Sequence, residues 1–216
     1  MKQYKTILFD LDGTLTDSAS GITNSIMYAL EKFGINVNNR TELYPFIGPP
    51  LLDSFITIYH FSEEKARQAV HYYHEYFSEK GMYENRIYDG IPEMLAVLKD
   101  RGKILAVASA KPECFVKTIL NHFDLSRFFD FIGGTELHGT RIHKEQVIQY
   151  VLNALAITDK NEVVMVGDRR DDIQGAQNNG LDSVGVLYGF GSREELVAAD
   201  ASYLAKSVKE LQAMLQ

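Results

Sequence analysis

Three short apolar runs in this sequence end in residues able to do chemistry. Tyr4–Phe9 is followed by Asp10-Leu11-Asp12-Gly13-Thr14, Ile104–Ala108 by Ser109-Ala110-Lys111, and Val163–Val166 by Gly167-Asp168-Arg169-Arg170-Asp171-Asp172. Lys144 opens the helical pattern before the last of these runs. If the runs are parallel strands, ligands bind beyond their carboxyl ends, where these residues would meet. Converging carboxylates raise one another's pKa unless positive charge lies among them. Their hard oxygens suit Mg²⁺, and a lysine and a hydroxyl beside the ion suit a phosphate dianion. Two aspartates two apart can divide phosphoryl transfer between them. Ionised Asp10 can attack phosphorus and form an aspartyl-phosphate. Asp12, kept protonated by its acidic neighbours, can donate to the leaving oxygen and then activate water. The metal and Lys144 would offset charge on the transferring oxygens. Gly13 permits a sharp turn with amide N–H groups free for phosphate.

The elements that must position these groups alternate. Further apolar runs at Phe131–Ile132 and Ser183–Leu187 read as strands, and Ile91–Arg101, Glu113–Phe123, Lys144–Leu155, Ile173–Asn179 and Arg193–Ala199 read as helices. That alternation predicts an α/β, Rossmann-like parallel-sheet core. Residues 17–82 break the rhythm with helical patterns at Ser18–Phe33, Leu51–Tyr59 and Ser62–Lys80. They read as a small α-helical cap domain inserted into a core made of residues 1–16 and 83–216.

Blander readings compete. A calcium loop starting at Asp10 needs Gly and Glu where Leu15 and Gly21 stand. Gly134 and Gly139 have P-loop spacing, but Thr140-Arg141 replaces the Lys-Ser/Thr pair. Asp168, Asp172 and Ser109 could be simple helix caps. Cys114 reads as a buried, inert thiol, and His71 and His74 as part of an aromatic packing face. Arg141, Arg169 and Arg170 could meet substrate or water.

Asp10-x-Asp12-Gly13-Thr14, Ser109, Lys144 and Gly167-Asp168-x-x-x-Asp172 together resemble, in order and spacing, the four motifs of the haloacid-dehalogenase-like phosphatases. The resemblance covers the whole chain, helical insert included. It implies a Mg²⁺ cofactor, Asp10 as nucleophile and Asp12 as acid/base, with Ser109 and Lys144 on the phosphate. It also implies metal ligation by Asp10, the Asp12 carbonyl and Asp168, with Asp172 nearby. Phe46-Ile47-Gly48-Pro49-Pro50-Leu51 is similar to the cap segment of phosphoglycolate phosphatases and of a neighbouring 5′-nucleotidase branch. Gly133–His143 and Gly185–Arg193 look more like the nucleotidase branch.

The expectation is therefore a phosphomonoester hydrolase acting on a small phosphorylated metabolite. A sugar phosphomutase and a non-catalytic binding protein on the same fold are the alternatives. Phe46–Tyr59 carries no Lys or Arg, while Phe46, Ile47, Leu51, Leu52, Phe55 and Ile58 offer apolar surface. That lining suits a nucleoside monophosphate better than the carboxylate of phosphoglycolate, for which Arg40 is the weaker candidate cation. A formal charge of −7, from 22 basic and 29 acidic residues, disfavours nucleic acid as a partner. Ile7-Leu8-Phe9 is too short for a leader's apolar segment, and no run approaches the roughly 18 residues of a spanning helix. A cytoplasmic monomer or homodimer, with no membrane partner, is expected.

Overall fold

The computed structural model describes residues 2–137 and 139–216; His138, within the Gly133–His143 stretch, lies outside them. In chain order the elements are β1 (Thr6–Phe9), β2 (Thr16–Asp17), α1 (Ala19–Glu31), α2 (Leu51–Tyr59), α3 (Glu63–Glu79), β3 (Arg86–Ile87), α4 (Ile91–Asp100), β4 (Ile104–Pro112) and α5 (Glu113–His122). There follow β5 (Phe131–Thr135), α6 (Lys144–Ala154), β6 (Val163–Gly167), α7 (Arg170–Asn178), β7 (Asp182–Val186), α8 (Arg193–Ala198), β8 (Tyr203–Ala205) and α9 (Val208–Leu215). The chain forms two compact units, Asp17–Arg86 and the remainder.

The larger unit holds a six-stranded sheet in the order β5-β4-β1-β6-β7-β8, parallel throughout. β1 and β6 are buried along their whole length, as apolar runs at the centre of a covered parallel sheet should be. Phe9 aligns with Val107 of β4 and with Val166 of β6, so β1 and β6 end side by side against β4, which runs on to Pro112. The connections run outward in opposite directions on either side of β1, which makes these ends the topological switch point. Val147, Ile148, Val151 and Leu152 of α6 pack with Leu8, Ala106, Ala108 and Met165. Lys144 precedes Ile148 by four residues on the same helix, so the stripe that docks α6 also carries Lys144 to the sheet.

The smaller unit has its own core. Ile22, Ile26, Ala29 and Leu30 of α1 and Ala66, Ala69, Tyr73 and Phe77 of α3 are buried. Phe46 and Phe55 pack edge to face at 5.1 Å. The unit continues to Arg86, because Glu84 accepts hydrogen bonds from Asn24 (2.7 Å) and Tyr76 (3.0 Å).

Three expectations need correction. Phe46, Ile47 and Phe55 belong to the helical unit's core, so of the expected apolar lining only Leu51 and Leu52, half-buried, and Ile58, exposed, face outward. Cys114 is exposed, because the buried face of α5 is Val116, Ile119 and Leu120 and position 114 lies across the helix from it. α7 begins at Arg170 rather than Ile173, which places Asp172 in its first turn.

Candidate active site

Asp10 follows β1 directly and is buried, with its N–H donated to Val166 O at 2.9 Å. Lys144 Nζ donates to Asp10 Oδ1 at 2.7 Å and to Ala108 O at 3.0 Å, and pairs with Asp172 Oδ1 at 2.7 Å. One ammonium thus ties the ends of β1 and β4 to the first turn of α7. Asp172 also caps that helix, its Oδ2 accepting the Arg169 N–H at 3.0 Å. Asp10, Asp168 and Asp172 each bring one carboxylate oxygen to within 4.8 Å of the others. The structure therefore assembles carboxylates from two distant stretches of sequence into one buried acidic cluster, with Lys144 from a third beside it.

Asp168 is held from several sides. Its Oδ2 accepts the Phe190 N–H at 2.7 Å, and its Oδ1 accepts the Thr14 hydroxyl at 3.4 Å. Gly13, at φ +82°, would bring a Cβ within 2.2 Å of Asp168 Oδ2, so both its left-handed backbone and its missing side chain are required. A Cβ on Gly189 would lie 2.3 Å from Gly13 O and 2.4 Å from the Asp168 Cβ. Tyr188 Oη donates to Thr14 O at 3.0 Å. The Tyr188–Gly191 loop after β7 is thus a clamp on Asp168 and on the turn after β1. Glycines alternating with aromatics after a strand were its only sequence signal.

Ser109 is buried on the far end of β4, next to the residue whose carbonyl receives Lys144. It does not cap α5, whose first turn starts after Pro112. The β4–β5 register shifts between Ala108 and Pro112, an irregularity of the kind that re-aims side chains at strand ends. Within that segment lies Lys111, whose Nζ is 2.8 Å from Asp12 Oδ2. The sequence places Lys111 at this strand end without marking a role for it. The ion-pair partner of Asp12 is therefore a cation. Asp12 Oδ1 is sealed from solvent and makes no hydrogen bond.

The electrostatics follow from burial. Desolvation pushes the Asp10 carboxyl up to about 6, with Lys144 opposing and Asp172 and Asp12 adding to the rise. Asp168 is raised well above the usual carboxylate range, first by burial and then by the charges of Asp172 and Asp10. Burial alone would lower Lys144, but Asp10 and Asp172 outweigh it and raise its pKa. Four buried carboxylates (Asp10, Asp12, Asp168, Asp172) stand against two buried ammoniums (Lys111, Lys144). A dication would balance that set, and its clustered hard oxygens fit Mg²⁺.

The other candidates are engaged elsewhere. Arg141 donates to Gly134 O at 2.8 Å, pairs with Glu113 at 3.3 Å and lies 3.8 Å over the Tyr150 ring. Arg169 pairs with Glu195 at 2.9 Å, and Arg170 is exposed. Arg40 donates to Asn24 at 2.7 Å. His71 is exposed and pairs with Glu75 at 3.2 Å.

The model of the haloacid dehalogenase-like hydrolases matches residues 7–186. A 5′-nucleotidase of Pseudomonas aeruginosa is 45% identical over 214 residues, covering 99% of this chain and 96% of that one. A phosphoglycolate phosphatase of Vibrio cholerae is 26% identical, over 98% and 96% of the two chains. The crystal structure of a predicted phosphatase from Clostridium acetobutylicum superposes with a TM-score of 0.96 at 50% identity, covering 99% of each chain. The chain belongs to the haloacid dehalogenase-like hydrolase family and stands among its phosphatases.

Proposed function

We propose that this protein is a Mg²⁺-dependent phosphomonoester hydrolase that works through an aspartyl-phosphate on Asp10 and accepts 5′-nucleotides at least as well as phosphoglycolate. The observation that carries the reading is the single ammonium of Lys144 bridging Asp10 and Asp172 beside Asp168, where β1 and β6 end against β4.

Lys144 holds Asp10 Oδ1, leaving the other oxygen to attack phosphorus. As the Asp10–phosphorus bond forms, the ester P–O bond breaks and Asp12 gives its proton to the departing oxygen. Asp12 then takes a proton from water, whose oxygen displaces Asp10 from phosphorus and releases orthophosphate. Asp10, Asp168, Asp172 and the Asp12 carbonyl would hold Mg²⁺, which when bound supplies positive charge to the transferring oxygens. Ser109 and Lys144 hold the phosphoryl group. Water as acceptor, rather than a second sugar, separates this reading from a phosphomutase.

The substrate preference is supported by the 45% identity to a 5′-nucleotidase against 26% to a phosphoglycolate phosphatase. Phosphate release from a panel of nucleoside 5′-monophosphates and phosphoglycolate, with Mg²⁺ and with EDTA, tests the proposal. We expect activity only with the metal, with at least one nucleotide matching or exceeding phosphoglycolate in kcat/KM. Clear preference for phosphoglycolate over every nucleotide would overturn the substrate assignment, and full activity in EDTA the metal requirement.

A further inference from the structure

Lys111 has no part in the mechanism above, although it is as buried as the residues that do. Its side chain is 6% exposed, and its Nζ lies 2.8 Å from Asp12 Oδ2. The backbone that delivers it is fixed on several sides. The Lys111 N–H donates to Ser109 Oγ at 3.3 Å, and Thr135 Oγ1 donates to Ala110 O at 3.1 Å. Gly134 of β5 packs so closely that a Cβ there would stand 2.6 Å from the Lys111 carbonyl oxygen. Removing an ammonium from water is costly and is offset only by a well-placed partner. Lys144 cannot serve Asp12 in the same way, being committed to Asp10, Asp172 and Ala108 O. Asp12 is left with one oxygen clamped and the other, Oδ1, sealed and uncommitted.

We infer that Lys111 is a positioning residue for Asp12, holding Oδ2 so that Oδ1 is the oxygen that exchanges the proton. The inference rests on the hydrolase reading above and deepens it. The proton passes from Oδ1 to the ester oxygen as the P–O bond breaks, and one returns to Oδ1 from the attacking water. Lys111 keeps its three protons throughout.

Two esters separate this role from others. A nucleoside 5′-monophosphate leaves as an alkoxide and needs the proton, whereas p-nitrophenyl phosphate leaves as a stable anion. Wild type, Lys111→Met, Lys111→Gln, Asp12→Asn and Asp10→Asn are compared in kcat/KM on both. The ratio between the esters is independent of the fraction of enzyme folded. Lys111→Met should lose about tenfold or more beyond its loss on p-nitrophenyl phosphate when assayed on the nucleotide, as Asp12→Asn does. The deficit should lie in kcat, and Lys111→Gln, which keeps a donor, should fall between. Equal losses on both esters, or wild-type rates in both Lys111 variants, would overturn the inference. Activity in Asp10→Asn would instead overturn the nucleophile assignment beneath it.

Discussion

Burying Asp168 beside Asp10 and Asp172 stores electrostatic repulsion that a bound cation would relieve. Burial and like charge both disfavour the ionised state of Asp168, and the Phe190 N–H and Arg169 compensate only in part. A ligand that binds the folded state alone stabilises it by about 2.7 kcal/mol at one hundred times its dissociation constant. For a chain of this size that corresponds to roughly 5–10 °C in Tm. Thermal melts should therefore rise on adding Mg²⁺, and Asp168→Asn should abolish most of the rise. An unchanged Tm in wild type, or the same rise in the variant, would show that the cluster is not the ion's site. The acidic residues were legible because each follows an apolar run. Lys111 follows one too, two positions from Ser109, but a lone lysine at a strand end usually faces water. Only the packing of β5 against it shows otherwise.

The Tyr188–Gly191 loop decides whether Asp168 is held. Gly189 has an ordinary φ, so alanine there fails by collision with Gly13 and Asp168 rather than by backbone strain. Overpacking of this kind costs about 1–3 kcal/mol. Gly189→Ala should lower Tm and also shrink the Mg²⁺-induced rise. Gly102→Ala is the matched control. Its φ of +74° brings strain of about 1–2 kcal/mol, but nothing lies within 4 Å of the added carbon. It should lower Tm while leaving the metal response intact, and identical responses in the two variants would refute the clamp. Among the elements, the central strands were readable from their continuous β-branched runs. β8, with three residues, is too short to show a pattern. α9 escaped although Ser207-x-x-Glu210 is a capping signature, and Ser207 Oγ does accept the Glu210 N–H at 3.2 Å. α7 begins three residues before its apolar periodicity, because Asp171 and Asp172 interrupt that pattern while serving as the acidic first turn that a helix dipole favours.

Across the whole molecule, one strand-poor stretch interrupts an alternating pattern in the sequence, and the chain forms two compact units. The smaller unit runs to Arg86, and within it Glu84, a polar residue in a turn, anchors the helices through Asn24 and Tyr76. The apolar residues of Phe46–Tyr59 suit a lining in the sequence because such residues in a short helical unit can serve either its own core or a ligand. Phe46, Phe55 and Phe61 serve the core. None of the described helices is long and apolar enough to cross a membrane. The central claim is that Asp10 carries the phosphoryl group. Asparagine at that position keeps the shape, removes a charge that burial already disfavours, and cannot form an acyl-phosphate. The direct test is the rate of phosphate release by Asp10→Asn with saturating Mg²⁺ and substrate, alongside its melting curve. The account predicts a cooperative melt at or above the wild-type Tm and a rate lower by roughly 10³-fold or more. A folded Asp10→Asn variant turning over within about tenfold of wild type would contradict it.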